Sequence, residues 1–161
     1  MAHLMLPLLE IAKMNNGLFL NCLADVDETL ALQRPTDKTN NINFIACHLL
    51  DARFYWVRYW GQPVTNPLQN YFDQINSIEQ MQKFPRLEQI KTEWQKISVI
   101  FLEQLTKLTD DFLLGKAKTP FFNKDETELY ILSFTLEHES YHIGQLAFLR
   151  KYFGLPAMKY S

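Results

Sequence analysis

Residues 125–154 read DETELYILSFTLEHESYHIGQLAFLRKYFG, and their pattern is that of one long helix. Asp125, Glu126 and Glu128 stand where a helix dipole favours negative charge, and Arg150 and Lys151 where it favours positive charge. Gly154 followed by Pro156 supplies the stop. At about 100° per residue, Ile131, Phe134, Thr135, Leu146 and Leu149 share a face. The pattern predicts a helix from about Asp125 to Phe153, with that stripe turned to a core.

Polar groups interrupt this stripe. His138 and His142 are four residues apart, one above the other on the same face, and Gln145 lies on that face too. A purely structural helix has no reason to place three polar groups in successive turns of its apolar face, because each one left unpaired costs on the order of 1–3 kcal/mol. One cation shared by two imidazoles removes that cost.

Upstream, the same reasoning yields three more helices. The first runs from about Leu6 to Gln33, carried by Leu9, Ala12, Leu20, Leu23 and Leu30, weakened at Gly17 and stopped by Arg34-Pro35. The second spans about Asn41 to Trp60, with Asn40 or Asn41 as its cap and Gly61 and Pro63 as its stop. The third is announced by the capping-box pattern Ser77-Ile78-Glu79-Gln80 and continues to about Leu108; Pro85 places the start of its body near Arg86. No segment alternates as a strand does, so the expected fold is all-α, a four-helix bundle in one domain over residues 1–161. The connections 61–76 and 109–124 are long for a bundle, as crossovers or covers for a site are. The tail 155–161 reads as an irregular cap.

Composition excludes several classes. With 16 Lys plus Arg against 18 Asp plus Glu, the chain lacks the basic excess of a nucleic-acid binder. Its five glycines include no phosphate-cradling motif. Cys22 and Cys47 cannot build a disulfide framework and read as buried thiols in a reducing compartment. The N-terminus lacks a signal-peptide pattern, and no run approaches the roughly 20 apolar residues that cross a bilayer. A soluble cytoplasmic protein is expected, with no nucleic-acid or membrane partner.

The second helix repeats the anomaly of the fourth. Its stripe Phe44, Ile45, Ala52, Tyr55 and Tyr59 has His48 at the centre, so three of the four histidines project from the faces read as core-facing, and only His3 lies apart. His138-Glu139-Ser140-Tyr141-His142 also matches HExxH, in which two histidines bind zinc and the glutamate is the base. That reading needs a third ligand downstream, and beyond Glu139 the chain holds no Asp, Glu or His except His142. Position 148 is Phe148, so the longer metzincin motif fails as well. The third ligand comes from upstream, and His48 is the credible residue.

His48-Leu49-Leu50-Asp51-Ala52 with Trp56, and His138-x3-His142-Ile143-Gly144-Gln145-Leu146 followed by Leu149-Arg150 and Gly154, resemble the DinB/YfiT-like superfamily. The resemblance spans essentially the whole chain. It implies a four-helix bundle with a long crossover that binds one divalent metal, typically zinc or nickel, through His48, His138 and His142. It further implies a homodimer. Some relatives are transferases or isomerases that use a low-molecular-weight thiol such as bacillithiol, mycothiol or glutathione; others have no assigned activity.

Three neutral imidazoles leave a divalent ion its charge and an open position, as catalytic sites do. All-nitrogen ligation admits Zn, Ni, Fe or Mn. Cys47, next to His48, diverges from it by about 100° and points elsewhere. Glu139, Asp51 and Glu137 are the candidate general bases, although a solvated or interhelical carboxylate is the default for Glu139, one step off the metal face. Asp51 and Gln145 are candidates to orient the ligand rings. Phe44, Tyr55, Trp56, Phe121 and Phe122 are candidate pocket walls, although ordinary core is the default for each. The expectation is a metal-dependent transferase or hydrolase that transfers, isomerises or hydrolyses a small-molecule substrate, with or without a thiol cofactor. The alternative is a non-catalytic metal-binding or dimerising bundle protein.

Overall fold

The computed structural model describes residues 3–72, 75 and 77–160. Among the described residues six α-helices follow one another: α1 Met5–Cys22, α2 Glu28–Ala31, α3 Ile42–Tyr59, α4 Leu87–Leu105, α5 Asp110–Leu114 and α6 Glu128–Tyr152. The four long ones close a ring. Helix α1 packs on α6 and α4, and α3 packs on α4 and α6, so the core lies between all four. Leu9, Phe19, Leu49, Leu50, Ile90, Trp94, Ile97, Phe101, Leu132 and Leu146 fill it, with Phe19 stacked on Trp94 at 3.9 Å between ring centroids. This is the expected all-α bundle, and no strand occurs among the described residues. Among the described residues, no helix is long and apolar enough to cross a membrane.

Local chemistry sets the helix ends. Asn41 accepts the Phe44 N–H at 2.7 Å and opens α3, and Thr127 accepts the Tyr130 N–H at 3.2 Å and opens α6. Gly61 and Gly154, at φ +101° and +86°, take the left-handed conformation that ends α3 and α6.

Three boundaries differ from the sequence reading. The first predicted helix breaks after Cys22, where Asp25 takes φ 60°, and restarts as α2 under the cap of Asp27, whose carboxylate accepts the Leu30 N–H at 2.7 Å. The Ser77–Gln80 box is formed but opens only a 3-10 turn over Ile78–Gln80, while α4 begins at Leu87 with Arg86 as its cap, where Pro85 placed the body of the helix. The acidic run before α6 lies largely outside it. Glu126 instead accepts the N–H groups of Phe121, Phe122 and Asn123, pinning the connection from α5. Part of the 61–76 connection, residues 73, 74 and 76, lies outside the described residues.

Candidate metal centre

Helices α3 and α6 run antiparallel and are fastened at one end and in the middle of their contact. At one end Glu128 accepts from Tyr59 Oη and Trp60 Nε1, each at 3.1 Å. In the middle, Arg53 of α3 meets Glu139 of α6 through two parallel bonds, Nε to Oε1 at 2.8 Å and Nη2 to Oε2 at 2.6 Å. Both side chains are buried, at 0% and 2% exposure. Arg53 also donates to Ser98 Oγ at 2.6 Å and to Asn16, and its guanidinium lies 3.6 Å above the Trp94 ring.

That register brings His48 opposite His138 and His142. The three rings stand 4.6 to 5.0 Å apart by centroid, and one ligand atom from each can be chosen so that all lie within 4.8 Å of one another. Nε2 of His48 and Nε2 of His138 are 3.0 Å apart. Two imidazole nitrogens bound to one zinc ion at about 2.0–2.1 Å in a tetrahedron sit about 3.3 Å apart, so this spacing suits a shared ion. Gln145 supplies a second argument for the fit. Its Oε1 lies 2.7 Å from Nδ1 of His142; an amide oxygen only accepts, so that nitrogen carries the proton and Nε2 keeps its lone pair.

Electrostatics favour the neutral, ligating form of each ring. Burial, together with the neighbouring imidazoles of His142 and His138, lowers the pKa of His48 to about 4 against the opposing charge of Asp51. His138 is lowered to about 4 by burial and by His142. His142 is lowered by burial, with the Gln145 hydrogen bond and Glu137 acting in the opposite sense. All three are therefore uncharged at neutral pH and can hold a divalent cation.

The site does not face the core as its sequence stripe implied. The buried face of α3 carries Ile42, Ile45, Ala46, Leu49, Arg53 and Val57, and His48 lies on its exposed edge. His138 and His142 are half-buried at the edge of α6, so the triad lies along the outer seam between the two helices.

The other expected residues divide. Gln145 touches a ligand ring. Asp51 borders a small cavity of about 60 Å³ beside His48, but its Oδ1 accepts from Asn66 at 3.0 Å. Glu139 is turned inward, with both carboxylate oxygens held by Arg53 and Asn15 Nδ2 3.4 Å from one of them. That geometry places it between the helices, as an interhelical carboxylate. Cys47 faces Asn43 at 3.2 Å, and burial holds its thiol well above the usual range.

Among the aromatics, Phe121 meets Trp56 at 5.3 Å and Phe134 at 6.1 Å, Phe122 meets Phe134 at 5.1 Å, and Phe134 reaches His138 at 5.9 Å. They wall one end of the triad. Arg53 was missed in the sequence; its position between Leu49, Leu50, Phe54 and Val57 is the signal that marks a buried cation.

An antiparallel helix pair in a closed bundle, with three neutral imidazoles on its seam, defines a helical protein with a site able to hold one metal ion. The chain belongs to the DinB family, whose model matches residues 2–159. No curated protein compared with it matches.

Proposed function

We propose that the protein is a divalent-metal-dependent enzyme acting on a small molecule at the centre formed by His48, His138 and His142. The observation that carries this reading is the convergence of three neutral imidazoles with Gln145 fixing the tautomer of one. Three protein ligands leave coordination positions free, and the seam location opens them to solvent, whereas a structural ion is normally enclosed by four. A bound ion supplies Lewis acidity to the substrate group that fills those positions. The protein's own part is to hold the rings neutral and oriented, and to flank the open side with Phe121, Phe122 and Phe134. Zinc and nickel suit all-nitrogen ligation, and a low-molecular-weight thiol, once ionised, is a suitable donor for the open position.

Untagged protein analysed by mass spectrometry for metals tests the reading. About one equivalent of a divalent ion is expected in the wild type, falling to background in His138→Ala and His142→Ala. Wild-type protein that holds no metal after incubation with zinc or nickel overturns it. Metal-dependent turnover of electrophiles with a panel of thiols tests the transferase form; stoichiometric metal without turnover across that panel leaves a metal-binding bundle in its place.

A further inference from the structure

One cavity is not walled by the aromatics that flank His138. It continues the α3–α6 seam in the other direction, toward the start of α3 and the end of α6, with a volume of about 720 Å³. That lies within the roughly 300–1,000 Å³ typical of small-molecule sites. Gln145 belongs to both places: it lines this cavity and holds His142 Nδ1 at 2.7 Å. Ile45, one turn before His48, lines the opposite wall.

The lining has a definite chemistry. Tyr141 and Phe148 are seven residues apart on α6 and expose 58% and 64% of their surface, so two aromatic faces stand free on one side of the helix. Gly144 lies between them, and a Cβ built there meets nothing within 4 Å. The helix backbone is thus bare at the floor, with room for a flat group. At the far end, in the loop before α3, stands Lys38. It is the single cationic side chain of the lining, no Asp or Glu lines the cavity, and its ammonium has no hydrogen-bond or ion-pair partner among the described residues. About two turns of α3 separate that loop from His48.

The geometry points to this groove as the binding site for a small aromatic carboxylic acid, its ring on the bare backbone of Gly144 between Tyr141 and Phe148, its carboxylate at Lys38, and its other end directed past Gln145 to the histidines. An apolar aromatic channel ending in one unpaired ammonium discriminates by charge as well as by shape: an amine of the same shape meets a like charge, and a short aliphatic acid leaves the aromatic walls wet. This assignment names a substrate class for the centre proposed above and rests on that reading for its catalytic meaning, although not for binding itself.

Calorimetric titration of untagged, metal-loaded protein tests it, with 3-phenylpropanoate as the probe and 3-phenylpropylamine and propanoate as controls. Saturable binding of the aromatic acid with a Kd of about 1 mM or lower is expected, and none of either control. Lys38→Gln should weaken binding roughly tenfold, the order of one charge-assisted contact. Gly144→Leu fills the floor and should abolish binding; with open space at the Cβ and a better helix former in place, it should melt no lower than wild type. Equal binding of the amine, or binding unchanged by both substitutions, overturns the assignment. So does an absence of acid binding in a protein whose dimer dissociates on Phe148→Glu, which gives the face to a second copy of the chain. Metal content measured on the same samples separates the two proposals: acid binding without metal leaves the groove standing and the metalloenzyme reading fallen, and metal without acid binding does the reverse.

Discussion

Arg53 grips both carboxylate oxygens of Glu139, and the residue before Glu139 is His138. The pair fixes which turn of α3 faces which turn of α6, and so which histidines meet. Buried ion pairs contribute little net stability against apolar replacements of the same volume, but one charge left alone costs much more. Arg53→Ala should therefore destabilise the fold by about 3–5 kcal/mol, measured by urea denaturation. Arg53→Met combined with Glu139→Leu should recover most of that loss. If Arg53→Ala melts like the wild type, the pair does not hold the helices.

Stability of the metal-free protein should depend on pH through the histidines. Folding lowers the pKa of His48 and His138 to about 4 and lowers that of His142, against 6.5 for each ordinarily. Below about pH 6.5 the unfolded chain takes up protons that the folded chain refuses, so stability falls as pH drops from there toward 4; above pH 7 both states are neutral and this contribution vanishes. Melting temperatures of chelator-treated protein from pH 7.5 to 4.5 measure the slope. His48→Gln with His138→Gln should flatten it, and an unchanged slope in that variant assigns the dependence to other groups.

The HxxxH spacing, the upstream histidine and the glutamine were legible because they are properties of one helix at a time. The chain carries no comparable mark of how two helices register, and this is where the reading departed. Phe44, Tyr55 and Tyr59 form an apolar stripe with His48, yet they lie along a seam, because the true interior of α3 is turned toward Leu49 and Val57 with Arg53 among them. The apolar neighbours of Arg53 mark it as a buried cation, but nothing in the chain names its acid, which lies 86 positions away. The break at Asp25 was hidden for a different reason: a left-handed residue leaves no periodic trace, and the Asp27-Glu28 start that follows is short.

Gln145 should tune metal affinity without contributing to folding. Its oxygen fixes the proton on Nδ1 of His142 and so presents Nε2 to an ion. Partners of this kind are worth about 10–100-fold in metal affinity. Gln145→Ala should weaken zinc binding by that factor in a competition titration with a chromogenic chelator, while the melting temperature of the metal-free protein stays within about 2 °C, as expected for a change within roughly 0.5 kcal/mol at a site away from the core. Affinity equal to wild type shows that the ring is oriented by other contacts.

Glu126 governs the opposite flank of the site. The residue is 5% exposed and its carboxylate accepts three successive backbone N–H groups, from Phe121, Phe122 and Asn123, which fixes the segment whose rings reach His138 through Phe134. Glu126→Ala leaves those donors to water and should cost about 1–3 kcal/mol. The damage should be local. The connection between α5 and α6 offers Lys118 and Lys124 to trypsin, and release of the segment should make these the first sites cut under brief digestion, with cleavage several-fold faster than in the wild type. Metal stoichiometry should be retained, because all three histidines sit on α3 and α6, which remain fastened by Arg53 and Glu139. A variant that loses its metal together with its protease resistance shows instead that the aromatic flank and the histidine centre form one cooperative unit.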